Sequence, residues 1–293
     1  MALCALILAH HKAALLARLI RRLEGAGITC LVHVDADADL AVFRDACHGS
    51  AATFIPERTK IFWGGYSLIE ATIALARHGL RETACSHFLL ISGDTYPIAN
   101  DTDLRRFLLR DRDLIDTEEH PPGSYLHARI ARTYLPDTIA TAWRGKEYFQ
   151  DRQLDQGFFA LVAEAEAAYR LKQTTTFPLR YGKGSQWWCL RRATLERCLG
   201  LIDNGEYTPW FRFSAIPDES VFNTLVLNFI AAAEVEPGPV YTRWDRLPAP
   251  YEFSHLEEFD LLRDSNLPLA RKFATDADLL LTVLDMTNGE SAG

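Results

Sequence analysis

The sequence predicts an α/β fold, in which a mostly parallel sheet is flanked by helices on both faces and carries a loop-rich insertion. Over the first hundred residues, short and nearly continuous apolar runs alternate with segments whose apolar residues recur every three to four positions. Apolar strands without strict alternation are typical of parallel sheets that are covered on both faces. The composition agrees with a globular chain, because 48% of the 293 residues are hydrophobic and 24% are charged.

Four buried strands and two amphipathic helices account for the first hundred residues. The strands cover residues 2–9, 28–34, 52–55 and 87–91. Between the first two strands, a helix carries a leucine-rich face over residues 15–23 and ends at Gly25 and Gly27, since glycine closes helices readily. A second helix begins at Ser67, where Ser67 and Glu70 have the spacing of a capping box.

Polar turns follow two of these strands. Asp35 comes directly after the second strand, and Ser92-Gly93-Asp94 follows the fourth. Ligands of open parallel sheets bind beyond the carboxyl ends of the strands. We therefore expect both turns to lie near a binding site.

The second half of the chain is less regular at first and then regains order. Residues 111–182 are charged and form the predicted insertion, with one clear helix around residues 161–171. A strand over residues 185–190 is followed by helices near residues 193–202 and 217–232, and a last helix follows Thr275. No boundary between domains is visible, so the sequence predicts a single domain.

Charge and apolar runs exclude several classes of protein. The formal net charge of −8 provides no broad positive field for a nucleic-acid backbone. No apolar stretch reaches the ~18 to 20 residues that a bilayer span needs. The apolar opening lacks a basic leader and runs into His10, His11 and Lys12, which is typical of a strand and not of a signal peptide.

The cysteines predict free thiols in a reducing cytoplasm. They contain no C-x-x-C pair and no spacing that suits zinc. The six are Cys4, Cys30, Cys47, Cys85, Cys189 and Cys198. A cytoplasmic protein of this kind is also compatible with a peripheral contact to a membrane.

The sequence contains neither of the common phosphate-binding loops. There is no G-x-x-x-x-G-K-[ST], and no G-x-G-x-x-G follows a strand. The lone Gly182-Lys183-Gly184 precedes a strand and does not open a helix. ATP-dependent and dinucleotide-dependent chemistry therefore lose their simplest support.

Two groups of acids are candidates for chemistry, and both also have a structural explanation. Asp35 and Asp37 could chelate Mg²⁺ or Mn²⁺ under a nucleotide diphosphate, but acids at this position more often cap the next helix. Pro217, Asp218 and Glu219 open a helix, where proline and acids are common for backbone and dipole reasons alone. A general base at Glu219 would need an acceptor hydroxyl within about 3 Å.

Tryptophan is plentiful in the second half of the chain, where its indole faces suit the apolar faces of sugars. Trp187, Trp188, Trp210 and Trp244 all lie there, although core packing is the default use of this residue. Adjacent residues of a strand point to opposite faces, so at most one of Trp187 and Trp188 is expected to line a cleft.

Seven short motifs follow one another along almost the whole chain. They are Leu8-Ala9-His10-His11-Lys12, His33-Val34-Asp35, Phe62-Trp63-Gly64-Gly65-Tyr66-Ser67, His87 to Gly93 with Tyr96-Pro97-Ile98, Gly184-Ser185-Gln186-Trp187-Trp188, Pro217-Asp218-Glu219-Ser220 and Ala270-Arg271-Lys272-Phe273. In this order they resemble the core-2/I-branching β-1,6-N-acetylglucosaminyltransferases and peptide O-xylosyltransferases. Each motif alone is weak, whereas seven in order are hard to obtain by chance.

The resemblance implies a GT-A-like fold and an inverting glycosyltransferase that works without a metal ion or other cofactor. Residues 1–110 would form a nucleotide-binding half, and residues 183–293 an acceptor and catalytic half around the insertion. Glu219 would be the general base, and Lys272 would neutralise the leaving diphosphate. Other donor contacts would come from Leu8, His10, Asp35 and Trp63.

The resemblance also bears on the substrates. It implies a UDP-sugar donor, with N-acetylglucosamine or xylose as the sugar, and a glycan or glycolipid acceptor in polysaccharide biosynthesis. Acceptor contacts would come from Trp187, Trp244, Arg129 and Arg132. The chain departs from the family pattern at Thr95, where relatives carry an acid.

Two further details of the pattern stay open. The acid Asp94 lies one position before the place where the family has its own, and its use is open. A second cation for the diphosphate has no motif-level match, and Arg243, Arg246 and Arg271 are candidates by charge alone.

Three alternatives remain open from the sequence. One is a metal-dependent GT-A transferase that uses Asp35 and Asp37. The others are a carbohydrate-binding protein that keeps the fold and the tryptophans without catalysis, and a simple nucleotide-binding module.

Overall fold

The computed structural model describes residues 1–135, 152–245 and 249–289, of which residues 152–159 and 288–289 are described by their backbone alone. The strands are β1 Leu3–Ala9, β2 Thr29–Val34, β3 Thr53–Phe54, β4 His87–Ser92, β5 Thr95–Pro97, β6 Asp113–Leu114, β7 Glu118–Glu119, β8 Gly182–Lys183, β9 Cys189–Arg191, β10 Val235–Glu236, β11 Val240–Thr242 and β12 Leu269–Arg271. The helices are α1 Ala13–Gly25, α2 Leu40–Ala46, α3 Ser67–Glu82, α4 Asp101–Leu108, α5 Ala128–Ala131, α6 Arg152–Thr174, α7 Arg192–Asp203, α8 Thr208–Arg212, α9 Val221–Phe229, α10 Phe259–Asp264 and α11 Asp278–Gly289.

The main sheet of the described chain has seven strands in the order β10-β6-β9-β4-β1-β2-β3. Strand β1 is central and runs parallel to both β2 and β4, and β3 is parallel to β2. Strand β9 is antiparallel to β4 and to β6. The predicted α/β fold with a mostly parallel sheet between helices is confirmed.

Both faces of the central strand are covered by apolar side chains, which is why β1 reads as a continuous apolar run. Leu3, Ala5 and Ile7 belong to one core with helix α1, while Cys4 and Leu6 belong to a second core with α3. Side chains of a strand alternate between the two faces, so a strand buried on both sides has no polar positions.

A small second sheet attaches the end of the chain to its middle. It has three strands in the order β11-β12-β5. Strand β12 is antiparallel to β5, with Arg271 opposite Thr95. Because β5 follows directly on the turn after β4, this pairing brings residues 269–271 to the carboxyl edge of the main sheet.

Three sequence expectations need correction. The capping box at Ser67 is wrong, because helix α3 has Tyr66 as its N-cap with no side-chain cap, and Ser67 Oγ instead accepts a hydrogen bond from the backbone N–H of Phe62 at 2.9 Å. The strand predicted from residue 185 begins only at Cys189. The predicted insertion at residues 111–182 contributes β6 to the main sheet, and its helix α6 is longer than expected.

The prediction of free thiols is confirmed, because all six cysteines are buried and none forms a disulfide. Within the described residues, no helix combines the length and the apolar character required to cross a membrane.

Candidate functional site

A cleft of 1410 Å³ opens at the carboxyl edge of the main sheet. The ends of β1, β2 and β4 form its floor, and the chain just after β12 forms one wall. Of the site residues that the sequence nominated, those that line the cleft are Leu8, His10, Asp35, Trp63, Arg129, Trp187, Glu219, Trp244, Arg271 and Lys272. Arg132 does not line it; this residue is exposed, and its carbonyl accepts a hydrogen bond from Lys172 Nζ at 3.0 Å. Arg246 lies outside the described residues.

Glu219 is held at one end of the cleft by two cations. Arg129 Nη1 donates to Glu219 Oε2 at 2.8 Å, and Lys183 Nζ lies 3.2 Å from the same oxygen. The second oxygen, Oε1, has no hydrogen-bond partner among the residues that the structure describes. The side chain is about a quarter exposed, at 27%. One carboxylate oxygen is therefore fixed, and the other is available to a ligand.

A strained residue precedes the turn that carries Glu219. Residues Pro217–Glu219 form one turn of 3-10 helix, and Ile216 before them has φ 52° and ψ 59°. A β-branched residue seldom adopts this left-handed conformation, which costs of order 1–3 kcal/mol and persists only where the surroundings enforce it. Ile216 is held by its N–H, which donates to the carbonyl of Gly64 at 3.1 Å. The loop of Trp63 thus supports the turn of Glu219.

Lys183 lies between two glycines for reasons of packing. A Cβ on Gly184 would lie 2.5 Å from both the Cβ and the carbonyl oxygen of Asp116, and a Cβ on Gly182 would lie 2.9 Å from the carbonyl of Asn223. No larger residue fits without moving backbone. The close packing places strand β8, and with it Lys183, beside Glu219. The sequence analysis missed Lys183, although the Gly-Lys-Gly pattern was the available signal.

Two further cations of the cleft meet a buried carboxylate. Arg271 Nη2 lies 3.7 Å from Asp94 Oδ1, and Lys272 Nζ lies 3.9 Å from Asp94 Oδ2. Arg271 also donates to Ser92 Oγ at 3.3 Å, and its guanidinium lies over the ring of Trp187, 4.6 Å from the centroid. The Arg271–Lys272 peptide bond is cis.

The charge of Asp94 is fixed by these neighbours. Burial by itself would raise the pKa of Asp94, but Arg271, a hydrogen bond from the Ser92 hydroxyl and Lys272 together hold that pKa below its ordinary value. The carboxylate is thus ionised at neutral pH and keeps both cations turned toward the cleft.

Two histidines at the end of β1 are neutral at neutral pH. Burial lowers the pKa of His10, and burial together with the neighbouring His10 lowers the pKa of His11. Their rings lie 4.0 Å apart between centroids. His11 Nε2 is 4.0 Å from Asp94 Oδ2. The cleft wall here offers neutral imidazoles next to the cationic pair.

The acids after β2 are engaged with other groups. Asp35 accepts hydrogen bonds from the backbone N–H groups of Asp37 at 2.8 Å and Ile61 at 3.1 Å. Asp37 pairs with Lys60 at 2.6 Å. Over the described ranges of the chain, no three His, Cys, Asp or Glu side chains come together in a way that could hold a metal ion.

The tryptophans differ in exposure. Trp187 is 6% exposed and lies under Arg271, whereas Trp63 and Trp244 are 80% and 52% exposed at the rim. Trp188 is buried against Phe222, with ring centroids 5.0 Å apart. Of the adjacent pair, Trp187 lines the cleft and Trp188 does not, as expected. Both precede strand β9, which begins at Cys189, so the alternation of a strand is not the reason.

Three further residues of the cleft were missed as site residues by the sequence analysis. Asp116 accepts hydrogen bonds from the backbone N–H groups of Gly238 at 3.0 Å and Ser185 at 3.2 Å, so it ties two cleft segments together. Asp218 and Gln186 also line the cleft. The sequence offered no signal for Asp116, because its partners are distant along the chain.

Comparison with known proteins gives a family and a few relatives. A family model described as Core-2/I-Branching enzyme matches residues 6–262. A protein named Xylosyltransferase, from Ciona intestinalis, is 21% identical over 254 residues, which cover 83% of this chain and 27% of that protein. The chain therefore spans about a quarter of the length of this curated relative.

Solved structures give only remote similarities. HddC from Yersinia pseudotuberculosis complexed with GMP-PN has a TM-score of 0.29 and 21% identity, with coverage of 40% of this chain and 59% of that one. The galactosyltransferase LgtC in complex with donor and acceptor sugar analogs has a TM-score of 0.37 and 11% identity, with coverage of 97% and 95%. Neither similarity is close enough to argue from.

Proposed function

This chain belongs to the Core-2/I-Branching enzyme family, and on that premise we propose that it is a GT-A-like inverting glycosyltransferase that moves a sugar from a UDP-sugar to a carbohydrate hydroxyl without a metal ion. One observation carries the proposal. A carboxylate, Glu219, and a pair of cations, Arg271 and Lys272, line the same cleft beyond the ends of the parallel strands.

Direct displacement needs a base on one side of the anomeric carbon and a stabilised leaving group on the other. Glu219 takes the proton of the acceptor hydroxyl, whose oxygen forms a bond to the anomeric carbon. The bond between that carbon and the β-phosphate oxygen breaks, and UDP leaves with the electron pair. Arg271 and Lys272 stabilise the negative charge that develops on the diphosphate.

Arg129 and Lys183 fix the base by holding Glu219 Oε2 at 2.8 and 3.2 Å. Bound in this way, the carboxylate presents Oε1 to the acceptor in a single orientation, which is how positioning lowers a barrier. Arg129 was expected to contact the acceptor from the sequence. Its contact with Glu219 supports a positioning function as well.

The donor and acceptor lie at different parts of the cleft in this proposal. The nucleoside occupies the ends of β1 and β2 beside Leu8, His10 and Asp35, with Trp63 at the rim. Trp244, which is 52% exposed, offers an indole face to an acceptor sugar.

Trp187 was expected to bind the acceptor, but its ring lies under the guanidinium of Arg271. We assign it to orienting that cation. A cation stacked on an indole keeps its charge while giving up some freedom to move.

The engaged state of the acids after β2 supports the metal-free reaction over the metal-dependent alternative. Asp35 is bound by backbone N–H groups and Asp37 by Lys60. We expect transfer to survive an excess of EDTA with less than a twofold loss in rate. Loss of activity in EDTA that Mn²⁺ restores would support Asp35 and Asp37 as metal ligands.

The test of function is a donor screen that measures UDP release with UDP-N-acetylglucosamine and UDP-xylose, using glycan and glycolipid acceptors. We expect Glu219→Gln to lower kcat by about 10² to 10⁴ and to keep UDP affinity within twofold, since only proton removal is lost. Glu257→Gln, an exposed acid outside the cleft, is the matched control. Undiminished transfer by Glu219→Gln would rule out this base, and absence of any UDP release by the wild type would favour a carbohydrate-binding protein.

A further inference from the structure

We propose that Asp218 selects the donor sugar by forming a hydrogen bond with a hydroxyl or amide N–H of the sugar that is transferred. The inference rests on the proposed function and adds a residue that recognises the substrate. It concerns the part of the donor that lies between the diphosphate and the base.

Asp218 is close to both charged groups that the proposed reaction uses. It is the neighbour of Glu219 in the 3-10 turn and lines the same cleft. Its charge also acts on the buried guanidinium of Arg271. The sugar ring must lie between a base and a leaving group that are on opposite sides of the anomeric carbon, so the ring passes Asp218.

One oxygen of the Asp218 carboxyl group is left without a partner by the protein. Oδ1 is buried and has no hydrogen-bond partner among the described residues, while the carboxyl group also accepts a hydrogen bond from the backbone of its own residue. A buried acceptor left in this state costs about 1–3 kcal/mol. Native proteins rarely leave such groups unsatisfied, and a polar atom of a ligand in the cleft would provide the missing hydrogen bond.

The other acids of the cleft have their partners within the protein. Glu219 has Arg129 and Lys183, Asp94 has Arg271 and Lys272, and Asp35 and Asp116 each accept two backbone N–H bonds. The five Lys and Arg side chains that line the cleft are each paired with another acid, Arg180 with Glu119 and the other four with Glu219 or Asp94. Within this group, Asp218 has a buried oxygen, Oδ1, without a protein partner, and a ligand atom can provide one.

The charge state of Asp218 indicates the chemical class of that partner. Burial, and then the adjacent Glu219, raise the pKa of Asp218 to about 7. Near neutral pH the group is therefore in part an uncharged carboxyl, which both donates and accepts hydrogen bonds. A sugar hydroxyl, which also does both, suits this group, whereas the anionic diphosphate does not.

A base at position 218 is the main competing interpretation, because a pKa near 7 is suitable for proton transfer. Position argues against it. Arg129 and Lys183 act on both carboxylates, but they contact Glu219 directly, at 2.8 and 3.2 Å, and Asp218 alone of the two acts on Arg271 of the leaving-group side. The acceptor must approach from the side opposite to the diphosphate, which is the side of Glu219.

The experiment titrates UDP, UDP-N-acetylglucosamine and UDP-xylose against the wild type, Asp218→Ala and Asp218→Asn, and measures transfer with the better donor. We expect Asp218→Ala to weaken binding of that UDP-sugar about 5- to 50-fold, the loss of one hydrogen bond with a partner left unsatisfied, and to change UDP affinity less than twofold. A donor deoxygenated at the recognised position should bind equally to the wild type and to the variant. Asp218→Asn keeps the shape of the side chain and controls for folding, with thermal unfolding measured for each variant.

Each outcome decides between the interpretations. Equal weakening of UDP and UDP-sugar, or unchanged UDP-sugar binding, would overturn sugar recognition by Asp218. Retained binding with transfer lowered at least 10²-fold for both donors would identify Asp218 as the base instead. Wild-type transfer that is unaffected in Asp218→Ala leaves the proposed function intact and removes only this inference, whereas a wild type without any transfer removes the proposed function itself.

Discussion

Lys183 and Lys272 are two lysines of one cleft that pair with different acids, Glu219 and Asp94. We expect Lys272→Met to weaken UDP binding about 10- to 100-fold, because a hydrogen bond to a charged group contributes roughly 1.5–3 kcal/mol. Lys183→Met should keep UDP affinity within twofold and lower kcat, since it loosens the base. Isothermal titration with UDP and rates of UDP release measure both. Equal effects of the two substitutions on UDP affinity would contradict separate functions for the two lysines.

His33 gives the protein a pH dependence of stability. Its ring is fully buried, Nε2 accepts the N–H of Thr59 at 2.9 Å, and burial lowers its pKa from 6.5 to about 4. The unfolded state therefore binds the proton more readily, and this contribution to stability is fully present above pH 6.5 and is lost as the pH falls to about 4. The full difference is about 3 kcal/mol.

The His33 effect is measurable by urea unfolding at several pH values. We expect the free energy of unfolding of the wild type to fall between pH 7 and pH 4, and His33→Gln to remove about 3 kcal/mol of that fall. The glutamine keeps an acceptor for the Thr59 N–H. The same pH slope in both proteins would show that other groups are responsible.

Site residues could be predicted from the sequence where they belong to a recognisable motif. Residues whose function depends on a contact with a distant part of the chain could not. Glu219, Arg271 and Lys272 were named from motifs, and all three line the cleft. Arg132 was named from the same stretch as Arg129 and lies outside. Lys183 and Asp218 stand in the Gly-Lys-Gly and Pro-Asp-Glu patterns, but their contacts with Glu219 and their effect on Arg271 are visible only in the folded chain.

At the scale of elements, strand β8 fixes the geometry of the base through its flanking glycines. We expect Gly184→Ala to lower the free energy of unfolding by more than about 2 kcal/mol, because its Cβ would lie 2.5 Å from the backbone of Asp116. Gly200→Ala in helix α7 is the control, since its Cβ would meet nothing within 4 Å. There we expect a gain of about 0.5–1 kcal/mol from helix propensity. Chemical denaturation measures both, and similar values for the two variants would refute the packing argument.

Element prediction succeeded where periodicity is strong. The strands β1, β2 and β4 and the helices α1 and α7 were predicted within about two residues of their ends, and the start of α3 at Ser67 was predicted correctly. The helix from residue 217 was only partly right, because a 3-10 turn and a break at Ser220 precede α9. The N-terminus of α3 was misread because Ser67 bonds to Phe62, a tertiary use of a side chain that resembles a local cap.

At the scale of the whole molecule, the two cores on either side of the main sheet contain all six cysteines, each without a bond to another. We expect the melting temperature to change by less than about 1 °C when a reductant is added, because a disulfide would contribute several kcal/mol and none is present to lose. Differential scanning calorimetry with and without the reductant tests this. A clear drop on reduction would show that thiols pair in solution.

The fold class was predictable from apolar runs, whereas the assembly of the cleft was not. The order of the strands places β9 and β6 from the second half beside β4 from the first. The sequence contains no periodic signal for β6 or β10, which have two residues each. Such short strands depend on neighbours for their definition, so they are visible only in the folded chain.

The pairing of β12 with β5 has a consequence for synthesis. Arg271 bonds to Ser92 across 179 positions, and a ribosome releases the two residues at very different times. If the proposed function is right, a nascent chain that has already formed the ends of β1, β2 and β4 still lacks the cations that would bind the diphosphate. Such a chain should therefore be inert toward UDP-sugars until residues 271 and 272 have been synthesised and β12 has paired with β5.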